Sequence, residues 1–452
     1  MTGALAARGA GQERPWEGRR MHLLGIGGAG MSGYARAAHA LGATVSGSDA
    51  ASSPYLERLQ ADGVVQASVG HRPENLPPAE GLELYYSSAV PLENVERVTA
   101  RERGIRERPR AELLAQLSSL RRTIAVAGSH GKTTTAAMIV AILRAAGMRP
   151  GWLIGGSVGD GLGNAEWSEG EWLVVEADES DRSLLSLTVE IAVLTNVELD
   201  HHATYASLEE VREVFREFLA HPRVAVVWAR PQLLELAGEE LVPFDVAALQ
   251  LSAGGSSFDW RGARVHLRVP GAHNAINAAA ALEATRLAGA EEGAALSALA
   301  DFGGAGRRFQ LVGATPAGAL VYDDYAHHPT EVAATLQGAR TLPHRRLLAV
   351  FQPHLYSRTE LLAQGFGRAL ALADAAVVLD VYPARERARD HVGVSGLLVA
   401  EASADAAGGR PVFWLPSFAD AEPVVRGLAG PEDVVVVMGA GDVDVLAHRL
   451  LT

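Results

Sequence analysis

The chain has 452 residues, 48% hydrophobic and 21% charged, with a formal charge of −13, a composition that fits a compact fold and excludes a disordered or fibrous one. Its acidity disfavours a nucleic-acid partner, which needs a net basic face. Cysteine is absent, which excludes a disulfide framework, a thiolate metal site and a cysteine nucleophile, and suits a reducing cytoplasm.

At about 150 residues per domain the length suggests three domains. Residues 1–20 are rich in Gly, Ala and Arg, lack the apolar stretch of a signal peptide, and read as a disordered tail. The longest apolar runs, such as Val434 to Met438, fall far short of the ~20 residues that span a bilayer, so no membrane association is expected. Short β-rich runs alternate with longer helical patterns, which predicts an α/β fold with mostly parallel sheets. Of the 40 basic residues only Lys132 is lysine.

The first domain, residues 21–118, opens with a predicted strand His22–Gly25, turns through Gly25-Ile26-Gly27-Gly28-Ala29-Gly30 and continues as a helix to about Leu41. A second strand, Thr44–Ser46, ends near Asp49. This arrangement places backbone N–H groups at a helix N-terminus, where phosphate is favoured, and sets Asp49 about 20 residues on, as a ribose-binding acid would be. A tight turn with no ligand accounts for the same residues.

The central domain, residues 119–310, begins with the predicted strand Thr123–Ala127. Gly128-Ser129-His130-Gly131-Lys132-Thr133-Thr134 follows, and then the helix Ala136–Ala146. This is a phosphate-binding loop: glycines let the backbone wrap the phosphates, the lysine reaches the β- and γ-oxygens, and the next hydroxyl can ligate Mg²⁺. Val126 stands where the first glycine of the common spacing would be, which points to a subfamily. Two further strands run into polar clusters, Glu176 to Asp181 and Thr195 to His202. In open parallel sheets such clusters gather outside the carboxyl ends of the strands, which makes Glu176 and His201 candidate metal ligands alongside plain solvated groups. Pro270 to Asn277 opens an Ala-rich helix, and Arg307 and Arg308 sit in a glycine-rich turn suited to phosphate.

The third domain, residues 311–452, carries predicted strands near Ala319–Tyr322, Leu347–Phe351, Ala376–Leu379, Val412–Leu415 and Val434–Met438. Asp323-Asp324-Tyr325-Ala326-His327-His328-Pro329-Thr330-Glu331 follows the first and Gln352 to Arg358 the second. The former could be a metal site, a proton relay or a capped helix start.

Together the Gly128–Thr134 loop and these clusters resemble the Mur ligases of peptidoglycan synthesis, from about Met21 to Gly441. His22 to Gly33 and Asp323 to Glu331 look like the alanine-adding branch of that family. The branch that salvages a murein tripeptide has a different glycine loop and lacks the pattern Phe351-Gln352-Pro353-His354. The resemblance implies a Rossmann-like N-terminal domain, a central P-loop ATPase-type domain and a Rossmann-like C-terminal domain that closes over the site. It implies UDP-N-acetylmuramate, L-alanine and ATP as substrates, with Mg²⁺, or Mn²⁺ in its place, in a cytoplasmic monomer or homodimer.

By the same resemblance Gly128, Ser129, His130, Gly131, Lys132, Thr133, Thr134, His273, Asn274, Asn277, Arg307 and Asp324 would hold ATP, and Thr133, Glu176 and His201 the metal. Gly25, Gly27, Gly28, Gly30, Met31, Ser32, Asp49, Ser87 and Ser88 would hold the UDP-sugar. Lys132, His201, His327, His328 and Arg358 would carry the chemistry, with His327 or His328 guiding the amine proton and Arg358 facing a carboxylate. Leu355 stands where the family usually has a basic residue, and Arg385 is the expected replacement for that charge. The absence of any lysine but Lys132 excludes the carbamylated lysine of other branches, which fits the alanine-adding one. An NAD-dependent dehydrogenase would leave the second loop idle, and a regulatory ATP-binding module would leave the third-domain clusters idle.

Overall fold

The computed structural model describes residues 14–159, 161–202 and 204–452. They form two compact units, the first reaching Leu117 and including residues 165–167, the second comprising the rest from Ser118.

The first unit is built on a five-stranded parallel sheet in the order Gln66–Val69, Thr44–Asp49, Arg20–Leu24, Leu82–Tyr86, Glu107–Pro109. Chain order reverses on either side of the central strand, which leaves a crevice at the strands' carboxyl ends, where ligands bind in such sheets. The glycine loop lies there, and helix Ala29–Ala40 covers the sheet with Met31, Tyr34, Ala35 and Ala38 buried. The expected tail 1–20 falls outside the described residues as far as residue 13. Residues 14–20 are ordered instead: Trp16 is buried, its N–H donates to the Leu41 carbonyl at 3.0 Å, and the Arg19 guanidinium stacks over its ring and pairs with Glu83 at 2.8 Å. One aromatic ring with a cation above it outweighs the Gly/Ala/Arg composition around it.

A buried carboxylate ties this unit together. Glu96, at the start of helix Val95–Glu102, accepts from His22 Nε2 at 2.9 Å, Ser48 Oγ at 3.0 Å, the Arg72 N–H at 3.1 Å and Asn75 Nδ2 at 2.8 Å. Burial alone would raise its pKa, but these donors, led by His22, bring it down to about 2.

In the second unit the central sheet runs Leu241–Phe244, Val224–Trp228, Ile191–Leu194, Arg122–Ala127, Trp172–Glu176, Gly151–Leu153, all parallel. Helix Lys132–Ala145 packs on helix Ala272–Leu287, whose run of small buried alanines, Ala278 to Ala281, permits close approach. A three-stranded antiparallel meander, Ala247–Ser252, Gly255–Trp260 and Ala263–Leu267, packs Phe258, Trp260 and Val265 onto the same core. The last sheet has six strands in the order Gln310–Ala314, Leu320–Asp324, Val434–Met438, Leu347–Phe351, Ala375–Val378, Val412–Trp414, parallel except at its first, antiparallel edge.

Removing one partner of a buried ionic knot typically costs about 3–5 kcal/mol. Glu96→Ala should therefore destabilise the protein by about that much in denaturant titration. Stability contributed by Glu96 is present above its unfolded pKa near 4.5 and is lost as pH falls through about 2, so the variant should also show a weaker loss of stability below pH 4.5 than the parent.

Candidate active site

In the second unit, strand Arg122–Ala127 ends in Gly128 and helix Lys132–Ala145 begins after Gly131. Both glycines are required. Gly128 (φ +131°) would place a Cβ 2.2 Å from Thr195 Oγ1, and Gly131 (φ +81°) one 2.5 Å from Asn277 Oδ1. The loop is fixed from below: Asn196 Oδ1 accepts from the His130 N–H at 2.9 Å, Thr195 Oγ1 and Asn196 Nδ2 donate to the His130 carbonyl, and Ser129 Oγ donates to the Glu198 carbonyl.

Lys132 Nζ donates to the Gly128 carbonyl at 2.6 Å and to both carboxylate oxygens of Glu179 at 2.9 and 3.0 Å. Burial would lower its pKa, yet Glu179, Asp178 and Glu176 raise it, so the ammonium stays charged. Thr133 Oγ1 lies 3.0 Å from Glu176, whose carboxylate also accepts from the Gly155 N–H at 2.8 Å. His201, in a left-handed conformation at φ +55°, faces Glu179 at 3.3 Å. The structure thus brings Thr133 and Glu176 together, and puts His201 on the carboxylate that holds Lys132. These groups are oxygen donors with one imidazole, a set suited to Mg²⁺, and the two glycines leave a cradle that any Cβ would fill.

A cavity of about 250 Å³ adjoins the loop and is lined by His130, Gly131, Thr134, Asn196, Trp228, His273, Asn274, Ile276, Asn277, Arg308 and Asp324, among others. Its apolar wall and few polar groups suit a purine and its ribose. Burial pushes the His273 ring down to about 4 and the Asp324 carboxyl up to about 6.

Arg307 is not in this wall. Its guanidinium is spent on Asp323 at 2.9 Å and on the Gly439 and Gly441 carbonyls, bracing the last domain, while the neighbouring Arg308 reaches Thr133 Oγ1 at 3.4 Å and Glu331 at 3.7 Å. Of the two arginines it is Arg308, and not the expected Arg307, that lines the cavity. A left-handed φ of +54° at Arg307 turns the two side chains apart, which composition could not reveal.

Across the cleft, Glu331 is largely buried in charge-bearing company. It lies 3.3 Å from His130 Nδ1 and 3.3 Å from His327 Nδ1, and accepts from the His327 N–H at 3.1 Å. His327 Nδ1 also lies 2.9 Å from the Tyr325 carbonyl. Both neighbours are acceptors, so Nδ1 carries the proton and Nε2 the lone pair. Burial lowers the ring to about 4, so it is neutral near pH 7. His328 caps helix Pro329–Ala339, its Nδ1 accepting from the Thr330 N–H at 3.4 Å.

Arg358, expected to face a substrate carboxylate, is buried and bonded to Asp200 at 2.8 and 3.1 Å and to His354 Nδ1 at 3.1 Å. Leu355 is buried at φ +70°, and Arg385 is exposed, its charge contributing to the lowering of His354, which burial mainly causes, to about 3.

In the first unit the Gly27 N–H donates to Asp49 at 2.8 Å, so Asp49 pins the glycine loop, and Ser87 stands against Gly25, where a Cβ would meet it at 2.9 Å. Met31 and Ser32 are buried at the start of helix Ala29–Ala40, with Ser32 Oγ donating to the Ala29 carbonyl. Arg110, absent from the sequence-based set, brings Nη1 to 3.3 Å from where a Gly30 Cβ would stand. It supplies a positive charge at the loop.

A phosphate loop with a neutralised lysine, a nucleotide-sized cavity and a facing histidine–arginine cluster define an ATP-dependent ligase of three α/β domains. Residues 20–122 match the Mur ligase family catalytic domain, 126–285 the Mur ligase middle domain and 307–441 the Mur ligase glutamate ligase domain. The chain belongs to the Mur ligase family. It is 43% identical to the UDP-N-acetylmuramate–L-alanine ligase of Rubrobacter xylanophilus over 96% of this chain and 99% of that protein. The enzyme of the same name from Mycolicibacterium smegmatis is 41% identical over 97% and 95%. The crystal structure of UDP-N-acetylmuramate-alanine ligase from Thermotoga maritima superposes with a TM-score of 0.82 at 27% identity, covering 95% of this chain and 98% of that one. A murein peptide ligase from Psychrobacter arcticus superposes with 0.70 at 25% identity, covering 96% and 98%.

Losing a charged hydrogen-bond partner costs about 1.5–3 kcal/mol. Arg308→Ala should therefore raise the ATP KM at least about tenfold, whereas Arg307→Ala should lower the melting temperature and leave the ATP KM near the parent value. Lys132→Met should abolish phosphate release with the circular-dichroism spectrum unchanged.

Proposed function

We propose that this chain joins L-alanine to the carboxylate of UDP-N-acetylmuramate with cleavage of ATP, giving ADP, phosphate and UDP-N-acetylmuramoyl-L-alanine for peptidoglycan synthesis. The observation that carries this reading is the likeness, along nearly the whole chain, to ligases named for that reaction. No helix among the described residues is long and apolar enough to cross a membrane.

A carboxylate is a poor electrophile, so the γ-phosphoryl group first passes to a carboxylate oxygen, forming an acyl phosphate and ADP. The amine then attacks the carbonyl carbon and phosphate leaves. Thr133 and Glu176, with His201 beside them, would hold Mg²⁺, which when bound offsets phosphate charge. Lys132 turns from Glu179 to the transferring group and stabilises the charge that spreads over it. Asn274, Asn277, Asp324 and Arg308 seat the nucleotide. The first-unit glycines Gly25, Gly27, Gly28 and Gly30, with Ser87, Ser88 and Arg110, take the UDP-sugar diphosphate.

His327 is the group fitted to the amine. Its Nδ1–H is anchored on the Tyr325 carbonyl and Glu331, so Nε2 accepts a hydrogen bond from the alanine nitrogen and directs its lone pair. His328, committed as a helix cap, is not fitted to that task. Enclosure of the site keeps water from the acyl phosphate.

Phosphate release should require UDP-N-acetylmuramate, L-alanine and ATP together. A murein tripeptide in place of L-alanine supporting equal turnover would transfer the chain to the salvage reaction. His327→Ala should lower kcat by about a hundredfold with the ATP KM little changed.

A further inference from the structure

We infer that His130, Glu198 and His328 form a binding site for a zinc-class divalent cation, separate from the Thr133–Glu176 pair at the phosphate loop. The inference does not rest on which carboxylate or amine the enzyme joins.

Among the described residues this is the one group of three His, Asp or Glu side chains whose donor atoms converge within 4.8 Å. Glu198 stands between the rings, 3.4 Å from His130 Nε2 and 3.7 Å from His328 Nδ1, and an ion held on that second nitrogen replaces its long 3.4 Å cap contact with the Thr330 N–H. A tetrahedral zinc ion with bonds of about 2.0–2.1 Å sets its ligands about 3.3 Å apart, so Glu198 already stands close to its place for both rings, and the two ring nitrogens, within 4.8 Å of each other, draw together around the ion. The rings lie 4.7 Å apart, tilted by 34°.

Two further features mark the cluster as ligand-ready. His130 Nε2 is buried and makes no well-formed hydrogen bond among the described residues, its one neighbour being the Glu198 carboxylate at 3.4 Å, although a buried ring nitrogen normally finds a close partner. An ion bound there takes the place of the proton that the ring otherwise holds between its two carboxylates. Its other nitrogen, Nδ1, is 3.3 Å from Glu331. That carboxylate–imidazole pairing behind an open nitrogen orients and strengthens the ligating nitrogen at zinc sites. Two imidazoles with one carboxylate favour zinc over magnesium, which prefers oxygen donors and its own waters.

The three ligands come from three places: His130 from the phosphate loop, Glu198 from the segment after strand Ile191–Leu194, and His328 from the start of helix Pro329–Ala339. A bound ion ties the phosphate loop to the third domain. His130 and Glu198 also line the nucleotide cavity, so the ion and the nucleotide compete.

The test uses the full chain carrying Glu176→Ala, nucleotide-free, with excess Mg²⁺, so that the phosphate-loop site contributes nothing. Titration with Co²⁺, a spectroscopic stand-in for Zn²⁺, should give one ion per chain with visible bands of four- or five-coordinate geometry, displaced by Zn²⁺ and by ATP. Adding Glu198→Gln or His328→Asn should weaken binding at least about tenfold, and Glu331→Gln by about 10- to 100-fold. X-ray absorption of the Zn²⁺-loaded protein, which does not depend on how those variants fold, should show two imidazoles in the first shell. A shell with fewer than two imidazoles, or equal affinity in the Glu198→Gln and His328→Asn proteins, overturns the assignment.

Discussion

The catalytic loop depends on how one buried ammonium is neutralised. Lys132 is the only lysine of the chain, and an unpaired charge at its depth would cost several kcal/mol. Glu179 meets it with both oxygens and the Gly128 carbonyl with a third contact. The loop is therefore held in its binding shape before any nucleotide arrives. Glu179 is itself fixed, with Tyr205 donating to its carbonyl and His201 against its carboxylate. A γ-phosphate entering the loop replaces one anion by another, so Lys132 never loses its counter-charge. The cost of binding is reduced to turning a side chain.

Glu331 does for the facing domain what Glu179 does for the loop. Its carboxyl is held well below the ordinary range: burial opposes ionisation, but His327, His130 and Arg308 outweigh it. The two imidazoles it touches are driven in opposite directions. His130, between Glu198 and Glu331, is pushed up to about 9 against its burial, while burial takes His327 down to about 4. Two histidines near pH 7 thus differ in charge, one a cation between two carboxylates and one a neutral imidazole. One acid sets both, because it meets His130 as a counter-ion and His327 as the acceptor that fixes its tautomer.

Motifs made of backbone were readable in the chain. The mostly parallel sheets followed from alternating short apolar runs, and both glycine loops from spacing, because a glycine with positive φ has few substitutes. Side-chain direction was not readable. Arg307 and Arg308 are adjacent and chemically equal, and only the local φ decides which enters the cavity. Glu179 lies in the same predicted polar cluster as Glu176, and nothing in its spacing distinguishes the two, since the choice depends on where Lys132 points. The meander from Ala247 to Leu267 escaped because its first strand is mostly exposed and carries no alternating apolar face. Trp16 was hidden by a tail-like composition, although a lone tryptophan before the first strand was the available signal.

The Arg358–Asp200 pair raises a question of order in the reaction. Arg358 lies on helix Tyr356–Leu370 of the third domain and Asp200 on the loop that carries His201, so the pair is both a bridge across the cleft and the group expected to receive a carboxylate. The Asp200 carboxyl is held far below its usual range against the penalty of burial, chiefly by Arg358. A substrate carboxylate can engage this guanidinium in two ways. It can displace Asp200, which would leave a buried aspartate without its partner and so works against binding. Or it can use the nitrogen that now meets His354 Nδ1 at 3.1 Å, which leaves the bridge intact. The second course costs only a neutral imidazole contact. It also explains why Leu355, with its N–H donating to the Tyr382 carbonyl at 2.9 Å, tolerates a left-handed backbone: that turn starts the helix at the angle that sends Arg358 to Asp200 while His354 stacks on Tyr382. On the proposed reading the bridge stays intact and a carboxylate would exchange only with His354 for the third nitrogen of a guanidinium already fixed in place.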